Sequence, residues 1–177
     1  MFPFEKEIRK SVAFIHLICQ KGQDMFDVKG TGFFVSYHDE RFAEGSRFIY
    51  FITNRHVAEC WDNDDKPMDV KSASVRFNHV DGSSPEESLN SAGNVDWFIP
   101  TDESVDLALL PLLPDRKQID YRAIPFEMLA TEDIVNRDIF EGQKIMFTGF
   151  FYQFAGEKKM QPIVREGSAD ARLNQRY

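Results

Sequence analysis

Residues 48–57 read Phe48-Ile49-Tyr50-Phe51-Ile52-Thr53-Asn54-Arg55-His56-Val57, an apolar run that goes straight into a histidine. Aromatic and β-branched side chains suit a pleated, half-buried surface, so the run predicts a strand over 48–53. The same texture repeats on both sides of it. Residues 12–19, 32–37, 73–78, 95–99 and 107–112 are short apolar or alternating runs. Turn-type segments bound them, among them Lys21-Gly22-Gln23, Asp81-Gly82-Ser83-Ser84-Pro85 and Pro100-Thr101-Asp102. The charged stretch 38–47 holds Gly45-Ser46 and reads as a hairpin tip joining two strands. Six short strands with one brief helical candidate predict an all-β barrel or sandwich.

After Leu113 the pattern changes. Residues 114–125 are polar and punctuated by prolines, as in a linker crossing a surface. Residues 126–135 have room for one or two helical turns, and 143–149 and 162–165 read as strands again. The expected organisation is a first β unit over 1–113, a connector over 114–140, and the start of a second β unit over 141–177. Two or three strands cannot close a barrel, so Phe147, Phe150, Phe151, Tyr152 and Phe154 lack partners within their own unit. Either those aromatics pack on the first unit, or the sequence stops before this second unit is complete; the latter is the expectation.

Composition narrows the function. The 177 residues are 42% hydrophobic with 17 Phe, enough side-chain bulk for a core and unlike a disordered chain. The formal net charge is −8, and between Arg76 and Arg116 there is no lysine or arginine while eight carboxylates occur. Phosphate neutralisation needs clustered cations, so nucleic acid is not an expected partner. The strongly apolar run 12–19 is too short to span a bilayer, which takes about 20 residues, so no membrane is expected either. The same run lacks the cleavage site of a secretory signal. Two cysteines, Cys19 and Cys60, are too few for a disulfide framework, which makes a reducing, cytoplasmic location the default and leaves their pairing open.

Three local signals follow one another along the chain. Gly30-Thr31-Gly32-Phe33-Phe34-Val35 leads into an apolar strand, Thr53-Asn54-Arg55-His56-Val57 ends one, and Val105-Asp106-Leu107-Ala108-Leu109-Leu110 begins one. In this order the chain resembles the trypsin-like (chymotrypsin-fold) serine peptidases, particularly their bacterial and intracellular branch. The resemblance covers residues from about 12 to 112, with a weaker echo at 141–149 and 162–167. It implies a chymotrypsin-like β-barrel, the first barrel complete and the second only begun. It also implies peptide-bond hydrolysis through an acyl-enzyme, a polypeptide substrate, and neither cofactor nor metal. His56 would be the general base and Asp106 the carboxylate that orients it; the 50 residues between them compare with a template gap of about 45. A histidine suits the role because its ordinary pKa of roughly 6.5 lets it take and return a proton near neutrality. Gly30 and Gly32 would allow close backbone packing below the cleft.

The third member of the set is not identifiable. The family's nucleophile sits in a Gly-x-Ser-Gly segment, whose glycines let backbone N–H groups form an oxyanion hole. Gly45-Ser46-Arg47, Gly82-Ser83-Ser84 and Gly167-Ser168-Ala169 all lack the second glycine. Ser168 falls 62 residues after Asp106, against a template gap of about 90 that points past Tyr177. Ser168 is therefore not assigned. A second expectation is a non-catalytic relative, a chymotrypsin-like domain binding peptides or protein partners.

Other readings are weaker. His16, Cys19, His56 and Cys60 give a two-His, two-Cys set for zinc, but strand positions three apart face opposite sides, so His16 and Cys19 cannot converge without a bulge. Asp62-Asn63-Asp64-Asp65 begins like a calcium loop, yet Pro67 and Ala73 stand where glycine and glutamate are needed. His38 and His79 read as solvated, His16 as a satisfied strand residue, and Glu86-Glu87 as a solvated charge pair.

Overall fold

The computed structural model describes residues 7–43, 45–89, 95–150 and 158–169. Strand β1 (Val12–Lys21) alternates, turning Ala13, Ile15, Leu17 and Cys19 into full burial. Strand β2 (Asp24–Tyr37) folds back on it with Lys21 opposite Asp24 and Val12 opposite Phe33. Strand β3 (Phe48–Thr53) lies antiparallel on the far end of β2, so 38–47 is the connection the sequence predicts. On the other side of β1 lies β4 (Asp69–Arg76), with a register shift between Ile18 and Cys19. Strand β5 (Glu86–Ser88) pairs with β4, β6 (Ala108–Pro111) pairs with β3, and β7 (Ile124–Pro125) runs parallel to part of β2.

The main path is β5-β4-β1-β2-β3-β6. The molecule is all-β in character, and its sheet does not close among the described residues. The strand expected over 95–99 is not formed. Phe98 makes a single bridge to Leu109, with Phe98 N donating to Leu109 O at 2.8 Å and Leu109 N to Phe98 O at 3.0 Å. Phe98 itself is 63% exposed, while its neighbours Val95 and Trp97 pack against the core. Strands β5 and β7 escape the sequence reading because a Glu-Glu-Ser triplet and an Ile-Pro pair carry no alternation.

The core gathers on Phe34, whose ring meets Phe51 at 5.3 Å, Tyr121 at 5.1 Å and Phe77 at 6.2 Å between centroids. Ring pairs at such spacings add to the area that they bury. Tyr121 and Ile119 come from the segment read as a surface linker, and both are buried. That stretch is polar on average but supplies a wall of the core.

Strands β8 (Lys144–Gly149) and β9 (Ile163–Ser168) form a separate antiparallel pair. Among the described residues it is tied to the first sheet at few points. The Phe150 ring stands edge-on to Phe14 at 5.9 Å, and Phe150 N donates to Thr31 Oγ1 at 3.2 Å. The Asn78 side chain accepts from Met160 N and donates to Met160 O, and Met160 is buried. Ile145, Met146 and Phe147 stay exposed; Phe151, Tyr152 and Phe154 lie outside the described residues. Between the two sheets, a 3-10 turn (Phe126–Met128) and a helix of seven residues (Glu132–Asp138) fill the stretch expected to hold helical turns. Among the described residues no helix is long and apolar enough to cross a membrane.

Candidate catalytic dyad

Strand register explains how a histidine and an aspartate 50 positions apart meet. Strands β3 and β6 are antiparallel with Thr53 opposite Ala108. Continued past the strand ends, that register sets residue 55 opposite Asp106, beside His56. The chain leaves β3 through Asn54 and turns once as helix α1 (Arg55–Ala58), which lifts His56 off the sheet edge. Thr53 is buried with its hydroxyl donating to Thr31 O at 3.1 Å, so the strand end is pinned from below.

Two glycines set how closely this turn approaches the sheet. A Cβ on Gly30 would lie 2.9 Å from Val57 Cγ1, so only glycine lets the residue after His56 settle where it does. A Cβ on Gly32 would collide with the Phe51 ring and stand 2.8 Å from Ile52 O. The Gly-Thr-Gly stretch therefore serves close packing under the dyad, as expected. Behind it, Cys60 pairs with Cys19 of β1, with Cα atoms 6.3 Å apart and both side chains fully buried.

His56 Nδ1 lies 2.7 Å from Asp106 Oδ2. His56 N donates to Asp106 Oδ1 at 3.0 Å, and Asn54 Nδ2 donates to Asp106 Oδ2 at 3.0 Å. Partial burial raises the Asp106 pKa, but the hydrogen bonds from His56 N, His56 Nδ1 and Asn54 outweigh it and hold the carboxyl below its ordinary range. The histidine side chain is 51% exposed and the aspartate 46%, so the pair stands at the surface. No hydrogen bond engages His56 Nε2 among the described residues, which leaves that nitrogen open to an incoming proton donor. With an acceptor carboxylate at Nδ1, the neutral ring carries its proton there and presents a bare Nε2.

The other residues singled out in the sequence fall elsewhere. Ser168 is in β9 opposite Lys144, and no hydrogen bond joins it to His56. Ser83 Oγ donates to Asp81 within its own turn, and Ser46 offers its carbonyl to His38 Nδ1. His79 is not solvated: it stacks on Phe77 and reaches Glu87 Oε1 at 2.8 Å. His16 sits between Glu86 Oε1 at 2.8 Å from Nδ1 and Asp27 Oδ1 at 2.7 Å from Nε2. Glu86 and Glu87 are thus partnered, one with His16 and Ser74, the other with His79.

The two-His, two-Cys set does not converge. Cys19 points into the core against Cys60 while His16 is on the other face of β1, and among the described residues no cluster of three metal-type donors occurs. Asp62 instead accepts from Lys21 at 2.5 Å and from the backbone of Asp64 and Lys66, as an ordinary acidic loop does. A groove of about 700 Å³ lined by Ala58, Glu59, Met68, Lys71, Trp97 and Ile99 lies past the end of α1, and His56 does not line it.

No protein-family model matches the sequence, and no curated protein does. Fold and site alone then define the class: an all-β protein with a solvent-open imidazole–carboxylate pair at the edge of its larger sheet.

Proposed function

We propose that His56 and Asp106 are the base and its orienting carboxylate in a trypsin-like serine endopeptidase. One observation carries this: Nδ1 of His56 faces Asp106 Oδ2 at 2.7 Å while no described residue hydrogen-bonds to Nε2. In that arrangement Nε2 takes the proton of a serine hydroxyl as it attacks a peptide carbonyl. The resulting imidazolium is stabilised by Asp106, and the proton passes to the leaving amine. The acyl-enzyme is then hydrolysed by water activated at the same nitrogen. A chymotrypsin-like first barrel is part of the proposal. It is supported by the Phe98–Leu109 bridge, which brings the chain following β5 onto β6, the two edges a barrel must join.

The reading calls for a serine that these 177 residues do not hold between glycines. Sequencing the coding frame past Tyr177 is the first test: no glycine-flanked serine in the next few dozen codons counts against it. The present chain is expected to resist a fluorophosphonate probe, and labelling abolished by Ser168→Ala would reverse our dismissal of that serine. That no serine among the described residues hydrogen-bonds to His56 favours a second reading, a non-catalytic domain of the same fold that binds peptides or protein partners. An extended chain that cleaves an unfolded polypeptide, and stops doing so as His56→Ala, decides for the enzyme. A cytoplasmic location is proposed from the scarcity of cysteines, and the buried Cys19–Cys60 pair counts against it. Thiol titration of protein taken from its own cells settles that point.

A further inference from the structure

We propose that Asn54 is a positioning residue that fixes the Asp106 carboxylate and thereby keeps the His56 proton on Nδ1. The proposal rests on the reading of His56 as a base. It begins from an oddity at the start of α1. Asparagine at a helix N-cap ordinarily spends its side chain on the backbone amide two or three residues ahead. Asn54 occupies that place and makes no such bond. The amide it would take, His56 N, is held instead by Asp106 Oδ1 at 3.0 Å. Asn54 Nδ2 reaches across to Asp106, to Oδ2 at 3.0 Å and to the backbone carbonyl at 3.4 Å. Both partners are oxygens that only accept, so the nitrogen end of the amide must face them.

The consequence follows from counting donors. Besides Asn54, the hydrogen bonds on the Asp106 carboxylate among the described residues come from His56 itself, one from its backbone and one from its ring. A carboxylate anchored only by the histidine would follow that ring instead of orienting it. Asn54 supplies the anchor that is independent of His56, and its grip on the backbone carbonyl also fixes the chain just before β6. At a pair roughly half open to solvent, where water competes for every acceptor, that independence decides whether the ring is held in one tautomer.

The test reads the tautomer directly. Ring nitrogen shifts of neutral His56 are recorded by 15N NMR in the unaltered protein, Asn54→Ala and Asn54→Leu, the last filling similar space without a donor. Circular dichroism verifies folding. The expected result is an Nδ1–H ring in the unaltered protein and a fall of roughly ten-fold in the Nδ1–H to Nε2–H ratio in both variants, comparable to losing one hydrogen bond to a charged group. A folded variant with an unchanged ratio overturns the proposal. Should neither variant fold, the unaltered protein still decides. Its Asn54 side-chain amide resonance must shift as Asp106 is protonated in acid, and an amide that ignores that titration overturns the proposal too. Hydrolysis is not measured, so a chain shown to have no peptidase activity would defeat the proposed function and leave this result standing. An unmoved tautomer would do the reverse.

Discussion

Phe34 and Phe147 are both strand phenylalanines flanked by apolar neighbours, yet Phe34 is wholly buried and Phe147 is 51% exposed. The difference is in what surrounds the strand. Phe34 sits in β2 opposite Phe51 of β3, one residue past the end of the β1 pairing, and beneath Phe77 and Tyr121, while Phe147 has one neighbouring strand and, among the described residues, no layer above it. An apolar side chain is protected by a second layer, and hydrogen-bonded pairing alone does not provide one. The dyad belongs to the layered region, and its geometry is fixed by that core.

The sharpest way to break this comparison is to truncate both rings. Phe34→Ala should cost about 3–5 kcal/mol of stability, the usual range for a buried phenylalanine, and Phe147→Ala under about 1 kcal/mol. Urea denaturation measures both; equal costs would mean that the β8–β9 pair is as well packed as the main sheet. Next in size is the Cys19–Cys60 pair, which closes a loop of 41 residues in the layered region. If it is oxidised, reduction should lower stability by about 2–4 kcal/mol. A denaturation midpoint indifferent to reductant would show the pair to be two packed thiols.

Glycines sharpen the same contrast at smaller scale. Gly32→Ala should cost about 1–3 kcal/mol because the new methyl meets the Phe51 ring and the Ile52 carbonyl. Gly167→Ala, where a Cβ would make an ordinary 3.5 Å contact with Phe147, should change stability by under about 1 kcal/mol. A Gly32→Ala variant as stable as the parent would mean that Phe51 can swing aside and that the floor beneath the dyad is soft.

The layered half was also the more legible one. Residues 48–53 form the strand β3 (Phe48–Thr53) that their texture predicts, because every side chain there is aromatic or β-branched. The segment 95–99 has a similar composition and fails as a strand, since its apolar groups meet no continuous partner. Strand β2 begins at Asp24, well before the apolar stretch, because its first half is held by pairing to β1 and carries charged residues. His56 and Asp106 were legible from motif order, and the structure brings them together. Asn54 was not, because an asparagine before a helical turn reads as a cap; its reach to a residue 52 positions away depends on the β3–β6 register. His79 misled for the reverse reason: polar neighbours in sequence hid an aromatic one, Phe77, in space.

The smallest effect expected is also the one closest to the site. Asp106 has its folded pKa held below the ordinary carboxylate value by His56 and Asn54, although burial works the other way. The native state therefore binds fewer protons at this group than the unfolded chain does, and the stabilisation is fully present above the unfolded value of about 3.9. It disappears as pH falls through the lower folded value. Comparing the parent with Asp106→Asn below about pH 5, where imidazoles are already protonated, isolates this group. The stability gap between them should hold near pH 5 and narrow below about 4. With the side chain 46% exposed, that change should stay under about 1 kcal/mol, as for other solvent-screened pairs. A gap that instead widens in acid would place the Asp106 pKa above its ordinary value, with burial prevailing over the three hydrogen bonds, and the carboxylate would then be no fixed partner for the imidazole.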